Sequence, residues 1–487
     1  MFGQGMLFAL AAGMDQRALL VIGLAWALAS SAIRLFRTIF LRLETFSFCA
    51  MVGACTTAMF LGGALPVQIE ALLYGTTFTV SADHRYVLNT STGATAAVAL
   101  YLTAFHYICG ILACWDRPHW QRILHQLRLE IATNPRILRH APLLLVSGTI
   151  AIAGLFASRM VAVNRIDVAD GVIEDTPIWL WLLLGATPGM TMLAVIVAAT
   201  RQRRLIPLLC ALSAVLAALA LSFASGRRAF LFALLLAVGT WFWMRPWSAR
   251  PRTLLLTAFA VIPALIACWI LFQATRLSQD DLAASSERTS IIDIVLSDGF
   301  GQHVSTATTR VWSDFATRAY SISFLADILE RFEPEQAMMG GLIAKSGLLR
   351  AIPSAVWPDK LTTLADYTSP ELPVQRMLLL LETDQAMPMA MIGYVDWWIF
   401  GALLTPLIVL AISFGFIALA RWSRAVVPQI VAIAAAVTLA WNAEFDFAAA
   451  FVHLRFVAII SLVYAIGTAL TPRTSRNATP SPYAGRR

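Results

Sequence analysis

The sequence predicts an all-α polytopic integral membrane protein. Hydrophobic residues make up 59% of its 487 residues and charged residues only 13%, whereas a soluble domain carries about 25% charged residues. The mean hydropathy is +0.72. Apolar runs of roughly 20 residues, enough for a helix to cross the hydrocarbon core, recur along the chain. We expect a bundle of about 11 transmembrane helices, within a range of about 10 to 12, with one large outer loop domain.

The apolar runs give the predicted elements in order. Residues 1–13 are apolar but short, so they either extend the first helix or lie in the membrane interface. They lack a positive region and a clear cleavage site, so we expect no removable signal peptide. The predicted spans are 17–36, 46–66, 93–114, 141–159, 177–199, 205–224, 229–245, 253–273, 397–420, 425–442 and 448–470.

These spans divide the chain into four predicted parts. Residues 1–273 form an N-terminal transmembrane bundle, and 397–470 form the C-terminal transmembrane helices. The segment between them, 274–396, is predicted to be a large loop domain with amphipathic helices. Residues 471–487 are predicted to be a basic disordered tail.

Arginine sets the predicted orientation, because short cytoplasmic loops carry an excess of Lys and Arg. Every second connection is rich in arginine, so these connections and the tail are predicted to be cytoplasmic, and 274–396 to be outside. The same distribution favours a topogenic role for the net charge of +8 over nucleic-acid binding. The cytoplasmic arginines are Arg34, Arg37, Arg42, Arg117, Arg122, Arg128, Arg136, Arg139, Arg201, Arg203, Arg204, Arg245, Arg250, Arg252, Arg421, Arg424, Arg473, Arg476, Arg486 and Arg487.

His106 is expected to be a hydrogen-bonded core histidine. The six cysteines lie in or at the edge of apolar spans, so they suggest neither a disulfide framework nor a zinc site. The sequence has no Walker loop and no HExxH, CxxC or DxD motif, and we expect neither a metal site nor a cofactor.

The turn LSFASGRRAF, 221–230, places Arg227 and Arg228 at the outer side, between two spans. Either these side chains extend to lipid phosphates, or they bind an anionic ligand. The glycine before them allows the backbone to approach a ligand closely.

The segment predicted to be outside, 274–396, also contains an amphipathic helical pattern and part of a long apolar run. Residues 310–332 predict an amphipathic helix with an apolar stripe and a charged face that includes Arg318. The apolar run that begins at Met387 is too long for one span, so its first part is expected to re-enter the membrane or pack at its interface. Pro388 and Gly393 are predicted to break it there.

The last span carries unusual charges for a membrane helix. Glu444 and Asp446 lie at its outer mouth, and His453 and Arg455 lie deeper. Arg455 either pairs with a carboxylate such as Asp446 or Asp396, or faces a cavity that holds an anion. Guanidinium groups bind phosphate with two parallel hydrogen bonds. Lipid-linked sugar diphosphates present such an anion where the outward arginines gather: Arg227, Arg228, Arg276, Arg310, Arg318, Arg350, Arg376 and Arg455.

Three stretches together carry a resemblance to a known family. The outward SGRR, the outer-loop stretch IPSAVWPDK at 352–360 and PMAMIGYVDWWIFGALL at 388–404 resemble the Wzy-type oligosaccharide repeat-unit polymerases and the O-antigen polymerase–ligase group. Ser354 and Leu361 depart from the family's arginine and proline, and Thr383 stands for its threonine. The matching loop residues are Ile352, Pro353, Trp357, Pro358, Asp359 and Lys360.

The resemblance implies a GT-C-like, metal-independent membrane glycosyltransferase of the bacterial inner membrane. Such an enzyme transfers a glycan from undecaprenyl diphosphate to the sugar of another lipid-linked repeat unit at the outer face. Membrane lipids surround it, and a polysaccharide flippase or chain-length regulator is a candidate partner. An O-antigen ligase-type transferase, which differs in its acceptor, and a polysaccharide or lipid transporter remain the alternatives.

Residue roles follow from this chemistry. The departing lipid diphosphate gains negative charge, which arginines placed in advance can stabilise; Arg227, Arg228, Arg318 and Arg455 are the candidates for binding it. The acceptor hydroxyl needs a general base within hydrogen-bond reach. His453 is favoured for this role, and the other candidates are Glu444, Asp446, Asp396 and His303.

Overall fold

The structure is a computed structural model of the chain. It describes twelve main ranges of residues and several short pieces between them. The short pieces are 263, 266–267, 270–271, 273–275, 325–326, 328 and 356–357. The main described ranges are 2–38, 43–75, 91–134, 138–157, 178–200, 204–225, 227–245, 299–316, 339–352, 387–422, 425–442 and 445–470.

Every regular element in these ranges is a helix, and six helical stretches are long and apolar enough to cross a membrane when α11 and α12 are counted as one. This confirms the predicted class, a helical membrane protein. In chain order the helices are α1 Phe2–Met14, α2 Arg17–Phe36, α3 Phe48–Tyr74, α4 Thr92–Thr133, α5 Ala141–Ala157, α6 Ile178–Thr200, α7 Leu205–Ser225, α8 Arg227–Met244, α9 Phe300–Ala316, α10 Leu342–Arg350, α11 Met389–Trp397, α12 Gly401–Trp422, α13 Val426–Trp441 and α14 Phe447–Leu470.

The first residues form a helix of their own. Asp15 has a φ of 50°, and this turn folds α1 back along α2. A Cβ added at Gly23 would lie 2.6 Å from the ring of Phe8, and one added at Gly3 would lie 3.2 Å from Trp26. Helix α1 is therefore separate from the first span and packs antiparallel to it, so the expectation that residues 1–13 extend that span is wrong.

Helix α4 corrects a predicted boundary, because the expected loop after residue 114 is helical as far as Thr133. At about 1.5 Å per residue, its 42 residues extend about 63 Å. Trp120, Ile123, Leu127 and Ile131 are buried along one face of the extension. This spacing is that of an amphipathic helix, which a search for uniformly apolar runs does not detect.

The long apolar run after Met387 is divided, although not at Gly393. Helix α11 ends at Trp397, and Trp398 has a φ of 54° before α12 begins. A Cβ added at Gly393 would lie 1.9 Å from Oγ1 of Thr405, so α11 folds back against α12. Gly393 is therefore a close-packing position inside α11 and does not break the helix.

Contacts between helix ends show that arginine-rich connections share one end of the bundle. Arg128 pairs with Glu44, and Arg421 lies 2.9 Å from Nδ1 of His119. The guanidinium of Arg245 donates to the carbonyl oxygen of Ala199. Helices α6 and α8 thus end together, and the start of α8 lies at the opposite end from these arginines.

Other predicted elements lie partly outside the described residues. Most of the predicted span 253–273 does, as does the tail after residue 470. Of the predicted amphipathic helix 310–332, only the start coincides with α9, which begins earlier, at Phe300.

Candidate functional site

Helix α10 comes from the long segment predicted to be outside, and it packs between α11 and α14. Gly340 and Gly341 precede it with φ values of 59° and 86°, a conformation that favours glycine. The Gly340 amide donates to the carbonyl oxygen of Asp396 at 3.0 Å, and the Met339 amide donates to that of Val395 at 3.3 Å. These bonds join the entry of α10 to the last turn of α11.

The side chain of Asp396 holds the N-terminus of α10. Its carboxylate is fully buried and accepts hydrogen bonds from the amides of Ile343, at 3.2 Å, and Ala344, at 2.9 Å. The first amides of a helix have no partner within the helix, and the helix dipole favours negative charge there. Because both oxygens of Asp396 are engaged, the geometry favours a positioning role over that of a general base.

A glycine allows α10 to approach α14 closely. A Cβ added at Gly347 would lie 2.8 Å from the backbone nitrogen of Ala448 and 2.9 Å from Cβ of Phe447. The rings of Trp397 and Phe447 meet edge to face beside this contact, with centroids 6.4 Å apart. The C-terminal end of α10 is thereby directed along α14 toward the charged residues of that helix.

Arg455 of α14 contacts the chain just after α10. Its Nη1 donates to the carbonyl oxygen of Ala351 at 3.1 Å, and its guanidinium lies 4.9 Å from the ring centroid of Phe456. The side chain is half-buried. Within the described part of the chain, no carboxylate forms an ion pair with Arg455, so its pairing with Asp446 or Asp396 is not observed.

Asp446 begins α14. Its Oδ1 accepts a hydrogen bond from the amide of Ala449 at 2.6 Å, as a helix N-cap does. Burial raises the pKa of this carboxyl above its ordinary value, while the Ala449 amide and the charges of Arg350 and His453 act in the opposite direction. Asp446 therefore lies within the electrostatic reach of Arg350 and of His453.

The orientation of His453 is fixed by its own helix. Its Nδ1 lies 2.7 Å from the carbonyl oxygen of Ala449. A carbonyl oxygen only accepts, so Nδ1 carries the proton and Nε2 is the acceptor. We define Arg350, Asp446, His453 and Arg455 together as the α10–α14 site.

The structure brings only some of the predicted residues to this site. The backbone of Arg227 and Arg228 is described, but their side chains are not; Trp357 is described and half-buried. His303 is on α9, which contacts α3. Outside the described residues lie Arg318, Pro353, Pro358, Lys360 and Glu444.

Sequence reasoning missed two features. The sequence marked Arg350 only as one of many arginines predicted to face outward. Its position at the end of α10 brings its charge to act on Asp446. Asp116 is fully buried at the arginine-rich end, where it accepts hydrogen bonds from Ser47, at 2.5 Å, and from Ser413 and the Cys49 amide, each at 3.0 Å. A carboxylate among arginines predicted to be cytoplasmic was the available signal for Asp116.

No protein-family model, no curated protein and no solved structure matches this chain. The chemistry of the α10–α14 site is therefore interpreted from its own residues. These are two arginines, a carboxylate and a histidine whose Nε2 has no hydrogen-bond partner among the described residues, where α10 meets α14.

Proposed function

We propose that this chain polymerises lipid-linked oligosaccharide repeat units as a GT-C-like glycosyltransferase at the outer face of a bacterial inner membrane. The observation that carries the proposal is the α10–α14 site. Charged residues within membrane helices are costly and usually serve a function. In this site, Arg455 contacts only a carbonyl oxygen and a ring among the described residues, which leaves its charge available to an anion.

The proposed donor is a glycan attached to undecaprenyl diphosphate. Arg350 ends α10 directly before Ala351, whose carbonyl oxygen Arg455 of α14 contacts. The proposed diphosphate is held by these two arginines, one from each helix. The family-like motif begins at Ile352, directly after the carbonyl group that Arg455 contacts. The motif and the proposed diphosphate site therefore adjoin along the chain.

The proposed step is a displacement at the anomeric carbon of the donor glycan. The acceptor sugar hydroxyl forms the new carbon–oxygen bond and gives its proton to Nε2 of His453. The bond from the anomeric carbon to the diphosphate breaks, and undecaprenyl diphosphate leaves with the electron pair. Arg350 and Arg455 stabilise the negative charge that develops on it, and the step as written needs no metal.

Lysine substitutions test the proposal in liposomes that contain the purified protein and lipid-linked repeat units. Lysine keeps the charge but lacks the planar pair of donors, so Arg455→Lys and Arg350→Lys should slow formation of the polymer ladder by roughly 10²–10³-fold. At least one of Arg227→Lys and Arg228→Lys should do the same. Arg139→Lys, at an exposed position of the arginine-rich end, is the control and should be unaffected.

The products also separate the alternatives. A polymerase makes a ladder from repeat units alone, whereas a ligase needs a different acceptor, and a transporter makes no new covalent bond. Wild-type polymerisation by both Arg350→Lys and Arg455→Lys would contradict the α10–α14 site as the diphosphate site.

A further inference from the structure

A second cationic pair lies at the arginine-rich end of the bundle, between α2 and α4. Nη1 of Arg34, in the last turn of α2, lies 3.0 Å from Nε2 of His106. Arg117 lies eleven positions after His106 on α4, about three turns along the same helix face, and its charge acts on the guanidinium of Arg34. Two cations that repel each other are stabilised when an anion lies between them.

His106 fixes Arg34 without neutralising it. Guanidinium only donates, so Nε2 of His106 accepts and the imidazole carries no charge in this contact. Gly53 of α3 makes room for the histidine, because a Cβ there would lie 3.1 Å from Cδ2 of His106 and 2.9 Å from Cβ of Cys109. The guanidinium is therefore oriented by a neutral group, and its positive charge is retained.

The acidic residues at the arginine-rich end either bind other groups or lie far from Arg34 and Arg117. The arginine-rich connections and tail contain only Glu44, Asp116 and Glu130 as acidic residues. Glu44 pairs with Arg128, and Asp116 accepts three hydrogen bonds. Glu130 is thirteen positions after Arg117 on the same helix, about 20 Å away at 1.5 Å per residue. In the described part of the chain, neither Arg34 nor Arg117 has a carboxylate partner.

The surface beside the pair is apolar and outward-facing. Ile33 and Phe36, next to Arg34 on α2, are 60% and 44% exposed, and Tyr107, next to His106 on α4, is 52% exposed. In a helical membrane protein such side chains face acyl chains. The cationic pair thus adjoins a lipid-facing surface rather than an aqueous cleft.

We propose that Arg34 and Arg117 bind the phosphate of an anionic phospholipid in the cytoplasmic leaflet, with the acyl chains against the exposed surface of α2 and α4. Basic pockets between transmembrane helices on the cytoplasmic side bind anionic headgroups in this way. The site is separate from the α10–α14 site and does not depend on the proposed reaction.

Native mass spectrometry of the full chain, released from nanodiscs of phosphatidylglycerol and phosphatidylcholine, tests the proposal. The Arg34→Gln/Arg117→Gln variant should retain one fewer phosphatidylglycerol molecule, and each single variant should bind it about fivefold more weakly. Arg122→Gln, at an exposed position on the same helix, removes the same charge and should behave as wild type.

Inorganic phosphate at millimolar concentration should not displace the lipid; displacement would identify a free-phosphate site and overturn the assignment to a lipid. Equal lipid retention by the double variant and the wild type would also overturn it, as would an equal loss in Arg122→Gln. Arg117 is exposed, so Arg117→Gln should fold and provides the decisive measurement if the double variant does not.

Discussion

At the residue scale, two buried carboxylates join helices through several hydrogen bonds each. Asp396 accepts hydrogen bonds from two amides of α10, and Asp116 accepts them from two serine hydroxyls and one amide. A buried charge is costly unless hydrogen bonds compensate it. Both groups therefore join helices that are distant in sequence, and their removal should separate those helices.

Asp396→Ala should destabilise the protein, because it leaves the amides of Ile343 and Ala344 without acceptors. The cost of a buried unsatisfied group is about 1–3 kcal/mol. We expect a lower midpoint of thermal unfolding in detergent and slower polymer formation. Glu130→Ala removes an exposed carboxylate and should leave both unchanged. An unfolding midpoint equal to that of wild type in Asp396→Ala would show that the carboxylate does not hold α10.

At the scale of elements, the docking of α10 depends on close backbone contact with α14. The Cβ that Gly347→Ala adds would meet the backbone nitrogen of Ala448 at 2.8 Å, and backbone cannot rotate away as a side chain can. Overpacking of this kind costs typically about 1–3 kcal/mol. Displacement of α10 would also move Ala351 away from Arg455, so polymer formation should slow together with the loss of stability.

The matched control for that change is Gly110→Ala in α4, where an added Cβ meets nothing within 4 Å. Alanine favours a helix interior over glycine by about 0.8–1.0 kcal/mol, so this variant should be as stable as wild type or more stable. The interpretation of Gly347 fails if both alanine variants have the same unfolding midpoint and activity.

The sequence predicted elements where one local property was sufficient. Uniform apolar runs of sufficient length identified spans such as 17–36, which the structure reproduces as α2. The helical extension of α4 was missed because its signal is the spacing of Trp120, Ile123 and Leu127 rather than a run. The division of the run after Met387 and a span beginning near 397 were predicted, but the break was assigned to Pro388 and Gly393, because a left-handed φ at Trp398 has no composition signal.

The candidate site could be predicted only in part, for a related reason. His453, Asp446 and Arg455 lie near one another along a single helix, so sequence spacing brought them together. The partners of Asp396 are more than fifty positions away, and the approach of Arg455 to Ala351 spans more than a hundred. Such contacts arise from tertiary packing, which a single sequence does not display.

At the scale of the whole molecule, the contacts between helix ends place the arginine-rich connections at one end of the bundle, as the arginine content of the connections predicts. Arg128, Arg245 and Arg421 make their contacts at one end, and the last residue of α7 and the first residue of α8 lie at the other. Because cytoplasmic loops are the arginine-rich ones, we predict that the extension of α4 is inside and that α9 is outside.

Single cysteines at exposed positions of these two helices test this orientation. In a variant that lacks the six native cysteines, Gln302→Cys on α9 should react with a membrane-impermeant thiol reagent in intact spheroplasts, whereas Gln126→Cys on α4 should react only after the membrane is permeabilised. Both glutamines are exposed, so a difference in labelling reports the side of the membrane rather than burial. The opposite pattern would place α10 and the α10–α14 site on the cytoplasmic side, where outward-facing repeat units are absent, and the polymerase proposal would fail with the topology.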